Sequence, residues 1–174
     1  KEISDIFPFH ASVSAEVIGD SVEEMLEMAD DYIEIGPNIT IKVPLTPEGL
    51  KVCKDLSSDD VAVNVTLCFS TAQAILAAKA GATYVSPFVG RVYDQSFDGL
   101  KLIEEISDVY ATHKQKTEVL AASIRDVHQV ASCFRVGADI CTIPSKIFSG
   151  MYKHVLTDQG IAKFDEDWTK LVGG

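Results

Sequence analysis

The chain has 174 residues, 47% of them hydrophobic, and only six prolines, enough to bury a sizeable core and to fit one domain rather than two. Its net charge of −11 argues against a general nucleic-acid or anionic-membrane partner, because binding phosphates over a large surface needs an excess of lysine and arginine; a small site built from one or two arginines stays open. No apolar run reaches the roughly 18 residues that span a bilayer and no basic-then-apolar segment opens the chain, so a cytoplasmic protein is expected.

In chain order, short β-like runs alternate with helical segments. Strands are predicted over 11–18, 39–45, 61–69, 83–89, 118–123 and 139–144. Helices are predicted over 21–34, 47–56, 71–80, 98–112 and 127–135, with two more near the C-terminus. Thr46-Pro47-Glu48 fits a helix start, with threonine as cap and proline in the first turn. Gly81-Ala82 and Gly137-Ala138 each close a helix and lead into the next strand. Such βα alternation implies a parallel sheet or barrel.

The polar faces of the strands separate those two. Ser12, Ser14 and Glu16 alternate with Val13, Ala15 and Val17, and Thr40 and Lys42 alternate with Ile41 and Val43. Asn64 and Thr66, then Ser86 and Phe88, then Thr142 continue the pattern. An open doubly wound sheet is apolar on both faces and usually carries a Gly-rich phosphate loop, which this chain lacks. A TIM (β/α)8 barrel fits better, since its mouth collects functional groups from several strands. A full barrel has eight βα units in about 250 residues. Six units are legible here and the first residue is lysine, so a segment on the order of 40–60 residues is expected to precede the chain, which reads as a partial barrel, one domain over 1–174.

Lys42 is the focal residue. A fixed charge inside a run of β-branched residues must be neutralised or used, unless it belongs to an edge strand or reaches water past the strand end. Burial among Ile41 and Val43, and nearby arginines, are expected to disfavour its ammonium form. Cys53, Cys68, Cys133 and Cys141 form no Cys-x-x-Cys pair and read as buried, reduced core residues. His10, His113, His128 and His154 show no metal-ligand spacing and read as surface or helix-end residues.

Several strings resemble the transaldolase family in order. They are Val13-Ser14-Ala15-Glu16-Val17, the run from Ile41 to Leu50, the run from Asn64 to Ser70, Ser86-Pro87-Phe88-Val89-Gly90-Arg91 and Ala122-Ser123-Ile124-Arg125. At the C-terminus, Leu156-Thr157-Asp158-Gln159-Gly160 with Phe164 and Trp168 continues the likeness. The sequence resembles the small transaldolases that group with fructose-6-phosphate aldolase. The resemblance begins at the family's third strand, ahead of which lie a catalytic aspartate and a substrate-binding asparagine.

The resemblance implies a class I aldol transfer with no cofactor and no metal, in the pentose phosphate pathway. Lys42 forms an iminium with a ketose phosphate, sedoheptulose 7-phosphate or fructose 6-phosphate. A dihydroxyacetone unit then passes to glyceraldehyde 3-phosphate or erythrose 4-phosphate. Glu16 and Thr66 are placed to hold a proton-shuttling water, against the simpler reading of Glu16 as a salt-bridged carboxylate. Asn64, Ser86 and Ser123 bind substrate hydroxyls or merely pack the barrel. Arg91 and Arg125, each following a strand, form a phosphate clamp or else surface ion pairs. Fructose-6-phosphate aldolases carry tyrosine at the position of Phe88, whose hydroxyl helps release the enamine, and glutamine at that of Glu16, so phenylalanine and glutamate favour the transferase. The remaining alternatives are the aldolase itself and an inactive barrel fragment that binds phosphosugars or serves assembly. Val127 and Val155 stand where many relatives have proline. The family often forms homo-oligomers, pentamers or decamers, with the C-terminal helix reaching a neighbour, and Phe164 with Trp168 suits such docking.

Overall fold

The computed structural model describes residues 2–6 and 11–173, so Lys1 and His10 lie outside the described residues. After a short helix α1 (Glu2–Ile6), the order is β1 (Val13–Glu16), α2 (Val22–Ile33), β2 (Ile39–Pro44), α3 (Pro47–Ser58), β3 (Val63–Cys68), α4 (Thr71–Lys79) and β4 (Tyr84–Pro87). Then follow α5 (Val89–Asp94), α6 (Gly99–Thr112), β5 (Glu118–Ala121), α7 (Val127–Arg135), β6 (Ile140–Cys141), α8 (Ser145–Gly150) and α9 (Val155–Val172). The six strands are all parallel and lie side by side in chain order, β1 to β6. With no reversal of strand order there is no crevice of the doubly wound kind, and the sheet is a partial (β/α) barrel.

Alternation along each strand builds two environments. Ile41, Val43, Val63, Val65, Val85 and Val119 are at most 1% exposed. They belong to one core with Met25 and Ala29 of α2, Val52 and Cys53 of α3, Ala74 and Ala77 of α4, and Ile103 and Ile106 of α6. Each such valine or isoleucine contributes roughly 1.5–3 kcal/mol relative to exposure. The intervening residues Thr40, Asn64, Thr66 and Ser86 are also buried, but they are polar.

The connections are set by local chemistry. Ser21, Thr46, Ser70, Asp98 and Asp126 each cap the helix that follows, their side chains accepting a hydrogen bond from a first-turn N–H. In three of these loops the residue three after the cap reaches back as well. Glu24, Gln73 and Gln129 accept from the backbone N–H of Asp20, Phe69 and Arg125. At the other end, Gly81 and Gly137 have φ of +92° and +101°, and Ala82 and Ala138 donate back to Ala77 and Cys133. That is a Schellman closure, built twice. Val127 and Val155 open α7 and α9, the first-turn position that favours proline.

Two differences from the sequence reading have physical causes. β6 is only two residues long against the predicted 139–144, because it is hydrogen-bonded to β5 and to no other strand among those described. Helix α5 escapes a periodicity reading because Val-Gly-Arg-Val-Tyr-Asp has two β-branched residues and a glycine in six positions and no side-chain cap. Of the cysteines, Cys53, Cys68 and Cys133 are buried as expected, whereas Cys141 is only half-buried; all four are free thiols. His113 and His154 stand at helix ends and His128 is exposed. No described helix is long and apolar enough to cross a membrane.

Candidate active site

Most of the singled-out residues lie on β1 to β4 or in the segments that follow β4 and β5 directly; the pocket lined by Arg91 and Arg125 does not include Lys42, Glu16, Asn64, Thr66 or Ser86. Glu16 closes β1 and lies in register with Lys42 of β2, which lies in register with Asn64 of β3. Lys42 Nζ donates to Glu16 Oε2 at 2.8 Å. The side chains are 25% and 45% exposed, so the expected burial of Lys42 is partial, and the charge in contact with it is a carboxylate rather than an arginine. The reason lies in the alternation: Ile41 and Val43 turn into the helical layer and are fully buried, while Lys42 turns to the other face.

Deeper on that face, Ser86 Oγ donates to Asn64 Oδ1 at 2.7 Å, and Asn64 Nδ2 stands 3.5 Å from Ser14 Oγ. Two residues beyond Asn64, Thr66 is 1% exposed and its hydroxyl has no hydrogen-bond partner, alone in this among the described buried side-chain polar atoms. A buried hydroxyl left unpaired costs about 1–3 kcal/mol.

The backbone is strained at the same level. Leu67 has φ +60° where the β3–β4 register shifts, and Ser123, after β5, has φ +61°. Such conformations cost of order 1–3 kcal/mol for residues other than glycine and concentrate at functional sites. Ser123 is fitted against Gly90 of α5, where a Cβ would lie 2.0 Å from the Ser123 carbonyl oxygen and 2.6 Å from Arg125 Nε. Only glycine at position 90 lets the β5–α7 loop and Arg125 lie on α5.

Arg91 and Arg125 line one open pocket of about 640 Å³ with Phe69, Asp94 and Phe97. Arg91 sits over the Phe88 ring, 4.7 Å from its centroid, and Phe69 packs on Phe88 at 5.7 Å. Arg125 Nη2 donates to Asp94 Oδ2 at 2.7 Å. The two arginines thus share a pocket, and Arg125 also makes the surface ion pair that was the alternative reading.

Burial pushes the Cys68 thiol up to about 11. Burial likewise raises Tyr93, whose hydroxyl donates to Asp98, and the Lys101 backbone N–H holds Asp98 below the usual carboxylate value. Among the described residues no cluster of three His, Cys, Asp or Glu side chains is arranged to hold a metal ion.

Sequence reasoning missed Phe69, Gly90 and Asp94. The cap at Ser70 with Gln73 was a legible signal for Phe69, and the glycine within Phe-Val-Gly-Arg for a close approach; Asp94 had none, because its partner is 31 residues away.

The family described as Transaldolase/Fructose-6-phosphate aldolase matches residues 1–174. A protein of Paracoccus denitrificans named "Probable transaldolase" is 51% identical over 170 residues, covering 98% of this chain and 77% of that protein. One of Geobacillus thermodenitrificans with the same name is 49% identical, covering 98% and 79%. A solved structure of a mandelate oxidase variant with 4-Br-2-hydroxy-methylphenylacetate superposes with a TM-score of 0.60 at 16% identity. It covers 82% of this chain, which spans about half (51%) of that one, and the likeness is one of fold. With its whole length matched and relatives about half identical across nearly all of it, the chain belongs to the transaldolase/fructose-6-phosphate aldolase family.

Proposed function

We propose that the chain is a transaldolase using Lys42 as the imine-forming amine. The observation that carries this is the Lys42–Glu16 contact at 2.8 Å, with the buried hydroxyl of Thr66 on the neighbouring strand β3. Lys42 must lose a proton to attack a carbonyl carbon, and Glu16 is within reach to take it. Attack at C2 of a ketose phosphate gives a carbinolamine, which loses water to form an iminium. Glu16 and Thr66 together hold the water that carries protons to and from the departing oxygen. The iminium accepts the electron pair of the C3–C4 bond as it breaks, and the shortened aldose leaves. Breaking that bond also requires a base to take the proton of the C4 hydroxyl. The enamine left on Lys42 adds to an aldose phosphate, and hydrolysis of the new iminium frees the amine.

In this reading Asn64, Ser86 and Ser123 orient sugar hydroxyls and Arg91 and Arg125 hold the phosphate, with sedoheptulose 7-phosphate or fructose 6-phosphate as donor and erythrose 4-phosphate or glyceraldehyde 3-phosphate as acceptor. Phe88 favours transfer over release of free dihydroxyacetone, because it offers no hydroxyl to protonate the enamine. The reaction belongs to the pentose phosphate pathway and the cytoplasm. No residue of α9 is buried, and Ile161, Phe164, Trp168 and Leu171, spaced three and four apart, are all more than half exposed. This supports a homo-oligomer in which the stripe is covered.

The test is borohydride reduction of the folded chain with fructose 6-phosphate. The expected result is a mass increase mapping to Lys42 that Lys42→Met abolishes, together with transfer to erythrose 4-phosphate. A folded chain that takes no adduct is instead a binding or assembly module.

A further inference from the structure

The two arginines of the proposed phosphate clamp are held in different ways. Arg91 lies over the Phe88 ring, and no carboxylate among the described residues is within ion-pair distance of it. Arg125 is occupied. Its Nη2 meets Asp94 at 2.7 Å, and its Nε lies 2.6 Å from where a Cβ on Gly90 would stand. Gly90 and Asp94 are four residues apart on α5, so they share a face, and the guanidinium is laid along it. Both members of the ion pair are about half exposed and line the open pocket. Asp94 therefore presents a carboxylate oxygen to a donor that a phosphate oxygen would also use.

We propose that Asp94 is a built-in competitor for the phosphate site: it holds Arg125 in place while the pocket is empty and must give it up, or share it, when the phosphate of a sugar arrives. This rests on the reading of Arg91 and Arg125 as a phosphate clamp. A phosphate monoester carries about −1.5 to −2 at pH 7 and displaces a carboxylate of −1, whereas neutral sugars and monocarboxylates gain no such advantage. Asp94 thereby raises the threshold for occupancy, favours dianionic ligands and speeds their departure after transfer.

The experiment titrates inorganic phosphate into wild type, Asp94→Asn, Arg125→Met and the double variant by calorimetry, at pH 7.5 and constant ionic strength. Asp94→Asn is expected to bind phosphate about three- to tenfold more tightly, the scale of a half-exposed ion pair plus a like-charge repulsion. It should also lower the KM for the phosphorylated donor without raising kcat. In the Arg125→Met background the gain should vanish, because Asp94 acts through Arg125. If Arg125→Met loses phosphate while Asp94→Asn binds it no better than wild type, the proposal falls and the clamp reading stands. A gain that persists without Arg125 makes Asp94 a general charge effect and also overturns the proposal. If Arg125→Met binds phosphate as well as wild type does, or if no form binds it, the clamp reading fails and the competitor with it.

Discussion

Gly90→Ala adds a single methyl group where α5 and the β5–α7 loop approach each other closely. The new carbon would sit 2.0 Å from the Ser123 carbonyl oxygen, 2.6 Å from Arg125 Nε and 3.0 Å from Ser123 Oγ. An ordinary contact is roughly 3.5 Å, so some partner must move by about 1 Å or more. The loop has little freedom to do so, because Ala122 N–H donates to Pro87 at 2.9 Å and Val89 N–H to Ala122 at 3.0 Å. Overpacking of this kind costs about 1–3 kcal/mol. In a chain of this size that lowers Tm by about 2–12 °C. A shift of about 1 Å in Ser123 and Arg125 should also cost about 100-fold in transfer activity. Gly160→Ala is the counterpart: it sits inside α9 with nothing within 4 Å of its added Cβ, and should gain about 0.5–1 kcal/mol from helix propensity. Thermal unfolding and a coupled transfer assay read both variants. The reasoning is refuted if Gly90→Ala is as stable and active as wild type, or if the two variants shift Tm in the same direction.

Thr66→Val removes a buried hydroxyl that has no partner, so stability should hold or rise by about 1 kcal/mol while transfer slows at least 100-fold; a less stable variant with full activity would contradict the assigned role. Phe88→Tyr keeps the ring between Phe69 and Arg91 and should raise the ratio of free dihydroxyacetone to transfer product, and an unchanged ratio counts against Phe88 as the discriminator. Alkylation with iodoacetamide at pH 8 should mark Cys141 first, since a hydrogen bond from Cys133 lowers its pKa, whereas burial lifts Cys68 to about 11 and leaves about one thiol in a thousand ionised at that pH. Peptide mapping that finds Cys68 modified ahead of Cys141 would overturn this. The folded pKa of Cys68 lies above the ordinary 9.0, so its contribution to stability is complete below pH 9 and is lost as pH rises toward 11. Urea midpoints should accordingly fall as pH rises from 9 toward 11.

The strands were legible because their alternation is strict: Ile41 and Val43 against Thr40 and Lys42 is a period of two, and the parallel order follows from helices placed between every pair. The helix starts were legible too, since Ser21, Thr46, Ser70, Asp98 and Asp126 act through bonds two or three residues long. What local pattern does not encode is which distant group meets which. Lys42 and Glu16 are 26 residues apart, and only the parallel register of β1 on β2 makes them partners. The sequence marked Lys42 as a charge that needed an explanation, but its partial exposure and its carboxylate neighbour were settled by which face of β2 it takes. The unpaired hydroxyl of Thr66, the glycine under Arg125 and the hold of Asp94 on that arginine belong to the same class. Each is a contact between elements, whose free energy depends on three-dimensional distance rather than on spacing along the chain.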